Sequence, residues 1–266
     1  MPKQAAVDTA GQQGPSLLER VDLALASRLV AVESDEPLAS AQQVLDGVRR
    51  PAATDAAFFA ALLRLRGFVV ADDDARDVLT GTPGRLSPVN QEYRMIRGLA
   101  AGMQLVRERA AGGEPPNGWF AVEIWKQMTA ELPRFQNNDM RRGPPWDSVL
   151  YVSYPTVEQL PFLLDRFDLE HSFRDIPQLF RSFHPVRQGF RIMWRFARIA
   201  PFPDFNLLMG WMLMVAWLQW HGYPPLLPER ADQVMLARLL SGPPPLRIVQ
   251  LERRLLDAIS DWQQAG

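Results

Sequence analysis

Apolar side chains recur every three or four positions at Leu17, Leu18, Val21 and Leu25, and the same spacing returns over 38–49, 55–68 and 88–110. This period predicts a succession of amphipathic helices. Asn117-Gly118 and Gly143-Pro144-Pro145 bracket a further helix running from about Trp119 to Leu132. The stretch Asp147-Ser148-Val149-Leu150-Tyr151-Val152-Ser153 breaks the pattern, being β-branched and aromatic with no helical period, and reads as one or two short strands. Helices resume at Thr156, which has Gln159 three positions later in the manner of a capping box, and Pro185 suits a first helical turn. Pro201, Pro203, Pro224, Pro225 and the run Pro243-Pro244-Pro245 divide the remainder into three helical segments. Leu207 to Leu218 carries no charge over twelve residues. A membrane span needs about 20 apolar residues, so this run predicts a buried central helix. Positions 210, 213, 214, 217 and 221 share one of its faces, with Trp211 and Trp220 on other sides.

Composition narrows the function classes. The chain has 266 residues, enough for one large folded unit, and residues 1–14 are Gln-, Gly- and Ala-rich and expected to be disordered. With 29 Lys and Arg against 30 Asp and Glu, no overall field draws it to nucleic acid or to an anionic membrane. The absence of cysteine excludes disulfides, thiol catalysis and sulfur-ligated metals. The first 30 residues hold Lys3, Glu19, Arg20 and Asp22 and no apolar stretch of a signal peptide, so a cytoplasmic protein is expected.

His171, His184 and His221 are the only histidines and have no ligand spacing, so no metal site is expected. His184 precedes Pro185 and fits a helix entry, and His221 ends the central helix, where a cation suits the helix dipole. Asp72-Asp73-Asp74 lacks the spacing of a calcium loop and reads as a solvated helix start. Arg141-Arg142 reads as an exposed turn, with an anionic partner as the alternative.

The segment from His184 to Asn206, with Gly222-Tyr223-Pro224-Pro225 after it, resembles a Fic domain. That family shows a helix ending in Arg-Phe-x-x-Ile, the loop His-Pro-Phe-x-Asp-Gly-Asn-Gly-Arg-x-x-Arg, and a helix ending in Gly-Tyr-Pro-Pro. Arg195-Phe196, Ile199, Pro201, Phe202, Asp204, Asn206 and Gly222-Tyr223-Pro224-Pro225 fall in register without a gap. The resemblance implies an all-α fold of Fic type with a small β-hairpin flap at Val149, Leu150, Tyr151 and Val152. The resemblance covers about 88 to 226 and is faint upstream, so the expected organisation is an N-terminal helical extension over 15–87, from the apolar spacing, and a Fic-like domain over 88–266 that includes a C-terminal helix. A degenerate inhibitory helix could lie at Gln42 to Asp46-Gly47, which could equally be a plain helix end.

The departures matter as much as the matches. The family's histidine takes a proton from the target hydroxyl, and Ala200 stands in its place. Losing such a base typically costs about 10²–10⁴-fold. Phe205, Leu207, Leu208 and Trp211 replace the two glycines and two arginines that cradle phosphate. ATP and Mg²⁺ are therefore not expected as cofactors. The expected pocket comprises Ala200, Pro201, Phe202, Asp204, Phe205, Asn206, Leu207, Leu208 and Trp211. It would take a small-molecule ligand, or a protein segment clamped at the flap. Two alternatives stay open: a non-standard transferase or small-molecule enzyme using Asp204, its pKa raised by desolvation, and a scaffold or antitoxin-like protein acting by surface contact.

Overall fold

The computed structural model describes residues 15–33, 52–111, 115–136, 140–171, 180 and 182–264. The expected disorder of 1–14, the helical pattern at 38–49 and the Gln42 to Gly47 segment lie outside the described residues.

Ten α-helices appear among the described residues: α1 (Leu17–Glu33), α2 (Ala52–Arg66), α3 (Asp72–Thr80), α4 (Gln91–Ala111), α5 (Gly118–Thr129), α6 (Leu160–His171), α7 (Pro185–Ile199), α8 (Asn206–Trp220), α9 (Arg230–Ser241) and α10 (Val249–Gln264). Helix α8 is the axis of the bundle. It is apolar on all sides and packs against α7, α2, α4 and α5, so the uncharged run is a buried helix. Among the described residues no helix is long and apolar enough to cross a membrane. Two glycines permit the closest crossings. A Cβ on Gly98 of α4 would lie 2.5 Å from the Met128 Cα of α5, and one on Gly210 of α8 would lie 3.0 Å from the Met193 carbonyl of α7.

Local chemistry accounts for several helix starts. Asn117 accepts the Phe120 N–H at the start of α5, and His184 Nδ1 accepts the Val186 N–H before α7. Burial pushes His221 down to about 4, with a smaller contribution from nearby His184. Its ring is thus neutral at neutral pH rather than the dipole-stabilising cation expected. Asp74 is likewise no solvated residue: it is buried, accepts the Ala71 N–H, and pairs with Arg85, which holds its carboxyl below the usual range. The first helix is clasped from the far side of the sequence. Asp22 lies 3.0 Å from His184 Nε2 and accepts the Tyr223 hydroxyl at 2.7 Å, while α1 packs along α10.

The expected strands at 148–154 do not form. The Val152 N–H closes a turn on the Val149 carbonyl, Tyr151 takes φ of +64°, and the Val149 N–H donates to the Tyr154 hydroxyl. The β-branched composition signalled strand, but no neighbouring segment among the described residues offers a ladder to join, so the backbone satisfies itself in a turn.

Candidate functional site

Helix α7 ends on Ala200, whose φ of +46° turns the chain into the loop 201–205, and Phe205 with φ of +65° launches α8. The motif loop therefore has a left-handed residue at each end without a glycine at either. Asn206 staples it by accepting the Phe202 N–H at 2.8 Å and donating to the Phe202 carbonyl at 2.9 Å. Outside the loop, Arg141 is only 3% exposed. It donates to the carbonyls of Ala200, Gly143 and Pro155, fastening the motif loop to the segment that crosses over it. The expected exposed turn therefore holds only for Arg142, because three carbonyls draw Arg141 inside.

The aromatic residues of the loop turn inward. Phe202 stacks on Trp125 with ring centres 4.9 Å apart, and Phe205 packs against Phe135 at 5.6 Å and Phe68 at 6.2 Å. Arg134 lies over Phe135 and Phe205, closing the cluster toward solvent. Phe202, Phe205 and Trp211 are all 0% exposed, and the Trp211 ring N–H donates to the Leu226 carbonyl.

Two carboxylates govern the electrostatics. Asp204 is buried, and Arg66 at the end of α2 donates to both of its oxygens, at 2.6 and 3.1 Å, with Arg134 at 3.9 Å and the Phe205 N–H at 2.7 Å. Desolvation alone thus does not describe Asp204, which is bidentately paired. Asp147, from the crossing segment, caps α8. Its Oδ2 accepts the Asn206 N–H at 2.6 Å and the Leu207 N–H at 3.4 Å, and its Oδ1 accepts the Asn206 amide at 2.8 Å. Burial pushes this carboxyl upward, the hydrogen bonds from Asn206 pull it back, and the neighbouring Asp204 charge adds to the upward shift.

Beside this loop lies a groove of about 530 Å³ between the crossing segment, the first turn of α8 and the outer face of α9. Of the expected pocket residues, Leu207, Leu208, Val149, Leu150 and Tyr151 line it, whereas Ala200, Pro201, Phe202, Asp204, Phe205, Asn206, Trp211 and Val152 do not. Sequence reasoning missed Arg66 and Asp147, and the wall from α9 that presents Gln233, Val234, Ala237 and Arg238. Helix α9 has an ordinary amphipathic pattern, and nothing in it signals a ligand. Arg238 is exposed at the groove and makes no ion pair among the described residues.

No family model matches the chain, and no curated protein matches it in sequence. Solved structures do. A Fic domain-containing signaling protein from Bacteroides thetaiotaomicron superposes with a TM-score of 0.65 at 18% identity, covering 92% of this chain and 93% of that one. A Fic family protein from Desulfovibrio desulfuricans gives 0.68 at 15% identity over 94% of this chain and 73% of its own. Fic-1 from C. elegans gives 0.64 at 13% identity over 94% and 74%.

Proposed function

We propose, from the Fic fold that this chain shares with those structures, that it is a binding protein without AMP-transferase competence. Its groove takes a ligand with an apolar body in place of a nucleoside triphosphate. The observation that carries this reading is the Asp147 carboxylate on the first N–H groups of α8. A helix start of this kind is where a phosphate would bind, and here an anion of the protein itself holds it. A second anion at that place would meet repulsion instead of free donors. Ala200 offers no base, and Phe205 fills space where the Fic pattern has glycine.

The groove itself favours an apolar body with one anionic or acceptor group held at Arg238, away from Asp147, because Leu207, Leu208, Val234 and Ala237 form its walls while Arg66 is already paired with Asp204. A protein segment seated on the exposed Leu150 and Tyr151 fits the same surface. Strand addition, though, has the turn at 149–152 against it. The enzymatic alternative through Asp204 has its burial and its pairing with Arg66 against it.

Thermal stability of the purified protein tests the reading, against Mg²⁺ with ATP, nucleotide sugars, aromatic acids and extended peptides. A ligand at 100 times its dissociation constant adds about 2.7 kcal/mol of stability. The expected result is a shift with a non-triphosphate compound or peptide that the groove-blocking variant Val234→Arg abolishes. A shift with Mg²⁺ and ATP alone, or labelled AMP on any protein after incubation with the wild-type chain, overturns it. Ala200→His by itself is expected to produce no AMP transfer, since the helix start stays occupied.

A further inference from the structure

A second cavity of about 360 Å³ lies apart from the groove, between the segment 153–155, the start of α6 and the C-terminal half of α7. Arg195 and Arg198, one turn apart on α7, both line it. No Asp or Glu does so. Both guanidinium groups keep charge to spare. Arg195 Nε stands 3.5 Å from Glu170 Oε2, but without hydrogen-bond geometry, and the other Glu170 oxygen accepts from Arg166 at 2.8 Å. Arg198 gives one N–H to the Leu240 carbonyl and makes no ion pair among the described residues.

The rest of the lining is apolar or aromatic apart from Ser153 and Gln159. Tyr154 and Leu163 are half-buried walls, Phe162 stands 65% exposed at the rim, and Ser153 adds a hydroxyl. An exposed phenylalanine beside two undercompensated cations is costly to leave hydrated, and an aromatic rim with a cationic floor matches one chemistry.

We propose that this cavity is a binding site for a small carboxylate with an apolar, preferably aromatic, body. Its carboxylate spans Arg195 and Arg198, and its body lies against Tyr154, Leu163 and Phe162. A monoanion fits better than a phosphate dianion, because Glu170 already offsets part of the Arg195 charge and the walls of Tyr154, Phe162, Leu163 and Ile199 favour an apolar body. The site is independent of the proposed groove, yet Tyr154 joins the two. Its ring walls the second cavity while its hydroxyl accepts the N–H of Val149, a groove residue.

Isothermal titration of the full chain with phenylpropionate tests the assignment, with phenylpropionamide as the uncharged counterpart and inorganic phosphate as an anion without a body. Saturable binding of the acid, at least about tenfold weaker binding of the amide and of phosphate, and a similar loss in Arg195→Gln and Arg198→Gln are expected from losing hydrogen bonds to a charged group. Val234→Arg, which blocks the other groove, is expected to leave this binding intact, so the two sites fail separately. No binding of the acid, phosphate binding as tightly as the acid, or an affinity unchanged in Arg195→Gln overturns the proposal. If Arg198→Gln does not fold, the exposed rim variant Gln159→Trp, which fills the mouth, carries the same expectation of loss.

Discussion

Arg66 and Asp204 are 138 positions apart in sequence and form a bidentate clasp between α2 and the motif loop. Replacing Arg66 by Met keeps the apolar stem and leaves the Asp204 carboxylate, 4% exposed, without its main counter-ion. Removing one partner of a buried pair costs about 3–5 kcal/mol. Here the figure falls to roughly 2–3 kcal/mol, because Arg66 is itself a third exposed, Arg134 is close, and the Phe205 N–H still donates. Asp204→Asn keeps an acceptor for Arg66 Nε and the Phe205 N–H, loses the one for Arg66 Nη2 and strands no charge, so it is expected to cost less, about 1–2 kcal/mol. The double variant then leaves no charge stranded, so a cycle built from urea unfolding should return a coupling energy of roughly 2 kcal/mol. A coupling below about 0.5 kcal/mol would mean that the two residues act independently, and the description of Asp204 as a clasp would fail. The cycle also bears on chemistry: if Asp204→Asn abolished a measured turnover while costing little stability, Asp204 would be an acid or base after all.

Three further outcomes follow from packing and charge. Gly98→Ala is expected to cost about 1–3 kcal/mol in urea unfolding, since the added methyl meets the α5 backbone rather than a movable side chain, a loss that better helix propensity only partly offsets. At Phe205, whose φ is +65°, glycine should be tolerated at least as well as alanine. Both lose about 3–5 kcal/mol of packing, but only alanine keeps the left-handed strain of about 1–2 kcal/mol. A clearly more stable Phe205→Ala than Phe205→Gly refutes the strain. Burial pushes the Asp168 carboxyl up to about 6, above its ordinary 3.8, against the N–H groups of Gly118 and Trp119. The folded chain then holds the extra proton. This group's stabilisation is full below about pH 3.8 and is lost as pH rises through about 6. Asp168→Asn should flatten unfolding free energy against pH in that window, and an unchanged slope would contradict the assignment.

The helices were legible because period and punctuation coincide: Pro185 opens α7, the uncharged run forms α8, and Asn117 caps α5. The motif register gave the loop and the two helices that flank it, and solved Fic structures share that fold. The crossing segment was misjudged because strand propensity describes a side chain's fit to a sheet, and no sheet among the described residues receives Val149 or Tyr151. The residues that line the groove were only partly those expected, for a different reason. The motif register set Phe205 and Trp211 beside a ligand, but large apolar rings turn into the core, and the groove is lined instead by Leu207 and Leu208. Arg66 and Asp147 were out of reach, since each meets the loop across 138 or 59 positions and neither carries a local pattern.

The clasp on α1 bears on how the chain reaches this state. Asp22 meets His184 and Tyr223 across 162 and 201 positions, and α1 lies along α10 near the other end of the sequence. Contacts of that separation close late, because the entropy of the long loop must be overcome first. The stripe of α1 that carries the buried Leu18 and Val21 is therefore covered only once these distant contacts have closed.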